Sequence, residues 1–271
     1  MMKTRIVTAA ISSAIVIFLL IFRLTWVLPV VLALVGCLAV FEIFRATGAQ
    51  TNIVFFVISF LFAAFMPFAA RYMAISLMSV IYIYFGLFAA SLVVKFDADN
   101  LPKMFIAFVM ICSVIFGLTS AVVMIDWQYG MFYFLLATFA AFITDAGAYF
   151  VGSAVGKTKL APVVSPKKTI EGAIGGLVSS IIVCIAFAYI YAAIYCKGEV
   201  VNIGSVVVCT LLASIGGMIG DLFASSVKRV YGVKDYGTLM PGHGGIMDRC
   251  DSLCISLPIV MLFAQQVALL G

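Results

Sequence analysis

Residues 53–70 have the sequence IVFFVISFLFAAFMPFAA, eighteen residues without a charged side chain. A transmembrane helix needs about 20 predominantly apolar residues, so this run is nearly long enough by itself to cross a bilayer. A membrane β-strand would be a segment of ~10 residues in which polar and apolar side chains alternate. Because the run is unbroken, it predicts a membrane-spanning helix.

The composition of the whole chain agrees with this interpretation. Of the 271 residues, 65% are hydrophobic and only 10% are charged, and the mean hydropathy is +1.26. Soluble proteins contain roughly 45–50% apolar and about 25% charged residues. These values exclude a soluble globular protein and predict an all-α, polytopic integral membrane bundle.

Further apolar runs bring the predicted number of spans to nine. They cover residues 6–22, 24–41, 53–70, 72–94, 105–125, 131–152, 172–195, 203–226 and 252–270. Only Arg23 separates the first two runs, so a re-entrant hairpin is an alternative to two spans there. We predict an amino-terminal region over residues 1–125 with five spans, and a carboxyl-terminal region over residues 126–271 with four spans and two polar loops.

Lysine and arginine are distributed unevenly between the two sides of the predicted bundle. With nine spans, 13 basic residues fall on the side of the amino terminus, and 3, namely Arg23, Arg71 and Lys197, fall on the other. Cytoplasmic loops carry an excess of basic residues. The amino terminus is therefore predicted to be cytoplasmic, and the carboxyl terminus to lie outside.

Four aspartates stand out in the carboxyl-terminal region. Asp145 and Asp221 lie inside predicted spans, where an aspartate costs about 2.5–3.5 kcal/mol and is usually functional. Both lie a few residues from the cytoplasmic end of their span, at a similar depth. Asp248 and Asp251 are three residues apart, which predicts one face in the first turn of the ninth span. We expect the four carboxylates to meet just below the cytoplasmic surface.

Clustered carboxylates without histidine or thiol partners suit a hard cation such as Mg²⁺. Two alternatives stay open at this point. Asp145 and Asp221 would pair with arginines or backbone groups instead, and Asp248 and Asp251 would only cap the ninth helix, where an acidic first turn is favourable.

Basic residues and glycines are concentrated in the two polar loops, residues 152–172 and 228–251. The lysines and arginines are Lys157, Lys159, Lys167, Lys168, Lys228, Arg229, Lys234 and Arg249. Anchoring to anionic lipid is one explanation for them. The glycines of the second loop favour another, because they let backbone N–H groups approach a phosphate closely. Residues 165–169, Ser-Pro-Lys-Lys-Thr, precede a helix and offer a further anion site.

Glycines inside two spans have a different predicted role. Gly172, Gly175 and Gly176 in the seventh span, and Gly216, Gly217 and Gly220 in the eighth, are typical of positions at which helices pack closely. Close packing of these helices would bring Asp221 near the lysine loop.

Residues 225–251 contain the pattern Ser-Ser-Val-Lys-Arg-x4-Lys-Asp-x-Gly-x2-Met-Pro-x-His-Gly-Gly-Ile-x-Asp-Arg-Cys-Asp. This pattern resembles the signature of the phosphatidate cytidylyltransferases, also called CDP-diacylglycerol synthases. Met240 and Cys250 stand where the family usually has another aliphatic residue. The upstream segments over residues 145–149 and 156–172 resemble the same family, so the resemblance spans the carboxyl-terminal half.

The resemblance implies an enzyme of phospholipid biosynthesis that is a nucleotidyltransferase. It would convert CTP and phosphatidate into CDP-diacylglycerol and pyrophosphate, with Mg²⁺ required and two metal ions expected. The implied location is the inner (cytoplasmic) membrane, with the active site facing the cytoplasm. The expected partners are CTP, phosphatidate and membrane lipid but no nucleic acid, and a homodimer is left open.

Site residues are assigned from the pattern and the resemblance together. The predicted metal ligands are Asp145, Asp221, Asp248 and Asp251. The predicted catalytic residues are Asp221, Asp248, Asp251, Lys228 and His243. The predicted substrate-binding residues are Ser165, Lys167, Lys168, Ser225, Arg229, Lys234, Gly244, Gly245 and Arg249. His243 is expected to hydrogen-bond a phosphate or order the following glycines, because an ionised phosphate nucleophile needs no base.

Two other functions fit the same residues. A CTP-dependent lipid kinase of the polyprenol type would use the same acids and lysines to transfer the γ-phosphoryl group. An ion-coupled transporter would also place acids inside a helical bundle. The transporter explains the sequence less well, because the charged groups lie at one face without a matching outer vestibule.

Overall fold

The computed structural model describes residues 21–73, 77–196, 199–239 and 244–271. The helices are α1 (Val27–Thr47), α2 (Ile53–Tyr72), α3 (Leu77–Val94), α4 (Leu101–Ile125), α5 (Gly130–Val155), α6 (Ile170–Tyr195), α7 (Ile203–Val230), α8 (Met247–Cys250) and α9 (Leu253–Gln266). A 3₁₀ turn covers Ala49–Thr51. Two short strands, β1 (Lys159–Ala161) and β2 (Ser165–Thr169), pair antiparallel between α5 and α6.

Among the described residues, six helices are long and apolar enough to cross a membrane: α1, α2, α4, α5, α6 and α7. The protein is therefore an all-α polytopic membrane protein, as predicted. The predicted count of nine spans is not confirmed. The first predicted run, residues 6–22, lies almost entirely outside the described residues, and the apolar part of α3 is a shorter helix over Ser79–Val94.

The predicted ninth span differs from the helix that forms. Helix α9 has 14 residues, about 21 Å at 1.5 Å per residue, against a hydrocarbon core of about 30 Å. It ends at Gln266, and Leu270 then pairs with Val201 in a β-bridge. Asp248 lies in the separate helix α8 and Asp251 in the turn after it. The prediction that these two acids share the first turn of a ninth span is therefore wrong.

The structure divides into two compact units, which are described separately. The first contains the described residues of Met1–Val123 and of Val227–Cys250, and the second those of Met124–Ser226 and of Asp251–Gly271. The first junction lies close to the predicted boundary at residue 125. The segment 227–250 groups with the amino-terminal helices, whereas the sequence assigned it to the carboxyl-terminal region.

Side chains at both ends of the helices hold the first unit together. At one end Asn52 caps α2, accepting from the Phe55 amide at 3.0 Å and donating to the Ser91 carbonyl of α3 at 3.3 Å. At the other end Arg71 donates to the carbonyl oxygens of Arg23 and Thr25, both at 2.9 Å. Arg23 and Arg71, which were predicted to lie on the same side, are thus at the same end of this unit.

Small residues let the helices of the second unit approach closely. A Cβ on Gly176 of α6 would lie 2.5 Å from the Thr144 carbonyl oxygen of α5, and one on Gly220 of α7 would lie 2.5 Å from the Asp251 carbonyl oxygen. Ser180 of α6 also hydrogen-bonds Ser214 of α7 at 2.9 Å. The prediction that these glycines mark close packing is confirmed, but the glycines of α6 face α5 and those of α7 face residues 251–259, so the two sets do not pack against each other.

The second unit also has two distinct ends. The α6–α7 connection pairs with the carboxyl-terminal residues, because the Val200 amide donates to the Gly271 carbonyl at 3.2 Å and the Asn202 amide to the Leu269 carbonyl at 3.1 Å. The β1–β2 hairpin connects the carboxyl end of α5 to the amino end of α6, and therefore lies at the other end of this unit.

This arrangement predicts opposite labelling of the two ends. In a background without the seven native cysteines, Lys159→Cys should react with a membrane-impermeant maleimide only in inside-out vesicles. Val200→Cys should react only in intact cells whose outer layers have been made permeable to the reagent. Both positions are exposed in the structure, so burial does not prevent the reaction. Labelling of both positions from the same side would contradict the predicted topology.

Candidate active site

The second unit holds a group of polar side chains that we call the Asp221 group: Asp145, Lys168, Asp221, Ser225 and Ser252. The Lys168 ammonium forms an ion pair with Asp221 Oδ2, and the Ser225 hydroxyl donates to Asp221 Oδ1 at 3.3 Å. The Lys168 and Asp221 side chains are 25% and 23% exposed. The pair is therefore partly shielded but still reachable by a ligand.

Asp145 of α5 belongs to this group. It lies close enough to Asp221 and Lys168 for their charges to interact, and Ser252 hydrogen-bonds its carboxylate. The expected meeting of Asp145, Asp221 and the lysine loop is thus present within this unit. The basic partner of Asp221 is thus Lys168, whereas the alternative interpretation expected an arginine or a backbone group.

The hairpin explains why one of two adjacent lysines reaches Asp221. Successive side chains of a strand point to opposite faces, and in β2 Lys167 is exposed whereas Lys168 is half-buried. The hairpin is fixed where it joins α6. Thr169 caps the helix, accepting from the Gly172 amide at 3.1 Å, and the Glu171 carboxylate accepts from the amides of Lys157 and Thr158, also at 3.1 Å.

Asp251 and Ser165 also lie in the second unit. The Asp251 side chain is buried and its Oδ1 accepts from the Ser252 amide at 2.8 Å. Ser165 is half-buried at the start of β2. Their predicted roles in metal and substrate binding stay predictions.

The first unit holds a second set of contacts, the Asp248 group: Glu42, Lys228, Tyr236, Gly245 and Asp248. Asp248 Oδ1 accepts from the Lys228 ammonium at 2.8 Å, and its Oδ2 accepts from the amides of Tyr236 at 2.8 Å and Gly245 at 3.0 Å. Its side chain is only 4% exposed. Asp248 therefore organises the described part of residues 228–250, which we call the signature loop, around Lys228.

The glycines of this loop were predicted to turn their backbone N–H groups towards a phosphate. Gly244 has a φ of 86°, a left-handed conformation that favours glycine. The neighbouring Gly245 amide, however, points at the Asp248 carboxylate. In this structure the loop glycines shape the backbone around an internal acid, and substrate binding by Gly244 and Gly245 stays a prediction.

Sequence reasoning missed Glu42. This residue lies in α1, which continues to Thr47 beyond the predicted end at residue 41. Its carboxylate is buried and accepts from the amides of Ile246 at 3.1 Å and Met247 at 2.9 Å. The one available signal was an isolated acid within the apolar segment over residues 40–44, Val-Phe-Glu-Ile-Phe.

The remaining predicted residues are basic or lie in the part of the loop that is outside the described residues. Three of them, Arg229, Lys234 and Arg249, are exposed in the first unit. His243 lies outside the described residues. Their proposed contacts with substrate are not tested by this structure.

The chemistry of the Asp221 group fits a magnesium ion. Mg²⁺ is commonly bound through one or two carboxylates together with waters and substrate phosphates. Asp145 and Asp221 supply two such carboxylates, and the other polar atoms around them are hydroxyl oxygens and one ammonium. Over the described ranges, no group of three or more acidic, histidine or cysteine side chains could hold a metal ion. The two carboxylates and the neighbouring hydroxyl oxygens are nevertheless donors of the kind that Mg²⁺ accepts.

A comparison with protein families shows the class of this chain. A model of the cytidylyltransferase family matches residues 3–267. Because this match covers nearly the whole sequence, the chain belongs to the cytidylyltransferase family.

Several curated proteins that the chain resembles are phosphatidate cytidylyltransferases. The chain is 44% identical over 138 residues to a phosphatidate cytidylyltransferase of Staphylococcus haemolyticus (strain JCSC1435), covering 51% of each chain. It is 44% identical over 137 residues to that of Staphylococcus aureus (strain COL), covering 51% of this chain and 50% of the relative. It is 40% identical over 141 residues to that of Bacillus subtilis (strain 168), covering 49% and 47%. The chain thus matches about half the length of these curated relatives.

Proposed function

We propose that this protein transfers the cytidylyl group of CTP to phosphatidate, giving CDP-diacylglycerol and pyrophosphate in phospholipid biosynthesis. The observation that carries the proposal is the Asp221 group, in which two carboxylates and a lysine lie near one end of apolar helices. Such a site suits a triphosphate and a lipid phosphate at a membrane surface. The names of the relatives support this choice of substrates.

The proposed reaction is an in-line displacement at the α-phosphorus of CTP. A phosphatidate oxygen forms the new P–O bond, and the bond to the β-phosphate oxygen breaks to release pyrophosphate. A phosphate monoester has a second pKa of about 6, so the nucleophile is already ionised at neutral pH. The protein therefore has to position the phosphates and neutralise their charge, and no general base is required.

Asp145 and Asp221 are proposed to hold Mg²⁺, with Asp251 as a further candidate in the same unit. A bound ion would supply charge neutralisation on the phosphate oxygens. Lys168 is proposed to exchange its ion pair with Asp221 for a phosphate oxygen of the substrate. Ser225 would keep the Asp221 carboxylate oriented during that exchange.

The signature loop is also proposed to bind phosphates of the substrates. Its bases are Lys228, Arg229, Lys234 and Arg249, with His243 as a hydrogen-bond donor and Gly244 shaping the turn. Direct metal binding by Asp248 is retained as a proposal, although its oxygens accept from Lys228 and two amides in this structure. We further propose that the substrate site faces the cytoplasm of a bacterial inner membrane.

Isotope transfer tests the proposed reaction directly. When purified protein is given phosphatidate and CTP, lipid should acquire α-³²P and cytidine label, and pyrophosphate should appear in the water phase. Transfer should require phosphatidate and stop when EDTA removes Mg²⁺.

A parallel reaction with γ-³²P-labelled CTP is the matched control. A cytidylyltransferase leaves that label in pyrophosphate, whereas a lipid kinase moves it to lipid and releases CDP. Label from the γ position in the lipid product would therefore refute the proposed function.

A further inference from the structure

Glu42 is the one acidic residue of helix α1, whose last turn also contains Arg45, and its side chain is buried. The residue is 5% exposed. Burying a carboxylate is unfavourable unless hydrogen bonds or an opposite charge compensate for the lost water. The groups that compensate it therefore indicate what the acid does.

Both oxygens of the Glu42 carboxylate accept hydrogen bonds from the signature loop. Oε1 accepts from the Ile246 amide at 3.1 Å and Oε2 from the Met247 amide at 2.9 Å. These two amides lie just before Asp248, at the point where the loop enters α8. Glu42 thereby fixes the backbone direction from which the Asp248 side chain extends.

The loop is also shaped to accept Glu42 closely. A Cβ added to Gly237 or to Gly245 would overlap the Glu42 carboxylate. Neither glycine has a positive φ, so the need for a small residue arises from the contact with Glu42. Two segments of the loop thus close around one carboxylate.

Lys228 depends on this arrangement through Asp248. Its ammonium donates to Asp248 Oδ1 at 2.8 Å and lies 5.4 Å from the centre of the Tyr236 ring. The Tyr236 amide in turn donates to Asp248 Oδ2 at 2.8 Å. If the backbone at Ile246 and Met247 moved, Asp248 would lose the position at which it holds both groups.

We propose that Glu42 is a positioning residue for the signature loop, acting through the amides of Ile246 and Met247 to fix Asp248 and Lys228. The inference rests on the proposed function for its effect on turnover. Its structural part does not depend on any substrate, so the two can fail separately.

Hydrogen–deuterium exchange of the full-length protein in detergent tests the structural part. Glu42→Gln retains the shape of the side chain but leaves one acceptor oxygen for two amides. The peptide containing Ile246 and Met247 should therefore exchange about tenfold faster. Asn52→Ala is the matched control, because it removes a helix cap in the same unit that has no contact with the loop among the described hydrogen bonds. It should leave this peptide unchanged.

Turnover provides the second readout. Per folded molecule, kcat should fall about tenfold in Glu42→Gln and about 100-fold in Glu42→Ala, whereas Asn52→Ala should retain the wild-type kcat. A graded loss that follows the number of remaining acceptor oxygens is the expected result. Equal kcat values in all three variants, or an unchanged exchange rate in Glu42→Gln, would overturn the proposal even if the wild type makes CDP-diacylglycerol.

A second pair of variants covers the case in which Glu42→Ala does not fold. Gly237→Ala places a methyl group against the same carboxylate from the loop side, and should accelerate exchange of the same peptide. In the double variant Gly237→Ala with Glu42→Gln, the two effects should be less than additive because they act on one contact. Additive effects would contradict a direct contact between Glu42 and the loop.

Discussion

Asp221→Asn is expected to lower the rate of CDP-diacylglycerol formation by about 1,000-fold, at the upper end of what removal of one preorganised electrostatic group costs. The substitution retains the shape of the side chain but removes a charge that faces Lys168 and lies near Asp145. Because the ion pair is about a quarter exposed, its loss should change stability much less than activity. The measurements are initial rate over a Mg²⁺ titration and the thermal midpoint in detergent.

Asp99→Asn is the matched control for this substitution. Asp99 is an acid on the exposed turn before α4, and the same loss of charge there should leave both rate and midpoint unchanged. The metal proposal also predicts that any residual activity of Asp221→Asn needs more Mg²⁺ than the wild type does. A near-normal rate together with an unchanged Mg²⁺ dependence would show that Asp221 is dispensable for metal binding.

The helices of this protein were predictable because their signal is local. An apolar run long enough to cross a bilayer specifies a helix, since unpaired backbone groups are too costly in lipid. Residues 53–70 and 203–226 accordingly lie within α2 and α7. The glycine positions were predictable for a related reason: small residues in apolar helices mark close approach.

The β1–β2 hairpin was harder to predict from the sequence than the helices. Strands β1 and β2 have three and five residues, and β2 contains a proline and two lysines that are unfavourable in an isolated strand. They pair because α5 and α6 hold both ends of the connection close together, and because Glu171 binds the amides of Lys157 and Thr158. Such support comes from tertiary structure and leaves no periodic pattern.

The contacts of the Asp248 group were even harder to predict from the sequence than the hairpin. Glu42 and Ile246 are 204 residues apart in the chain, so neither segment alone indicates the contact. The predicted first turn of a ninth span failed for this reason. Asp248 is held by loop amides and Lys228, and the following helix begins only at Leu253. The sequence supplied candidate site residues, but it did not indicate the backbone that orients them.

Asp248→Asn is expected to impair both stability and activity, unlike Asp221→Asn. Its side chain is 4% exposed and that of its partner Lys228 is 14% exposed. Breaking a buried ion pair by removing one partner costs about 3–5 kcal/mol, because the remaining charge is left uncompensated. The variant should therefore denature at a clearly lower temperature, and its turnover per folded molecule should fall by about 1,000-fold.

The double variant Lys228→Met with Asp248→Asn separates these two effects. Removing the second charge abolishes the uncompensated ammonium, so the double variant should regain much of the lost thermal stability. Its turnover should stay as low as that of Asp248→Asn, because the proposed phosphate-binding lysine is gone. Recovery of turnover together with stability would mean that Lys228 and Asp248 serve only the fold. If stability did not recover, the ion pair would not be the main contribution of Asp248, and the amides of Tyr236 and Gly245 would take that role.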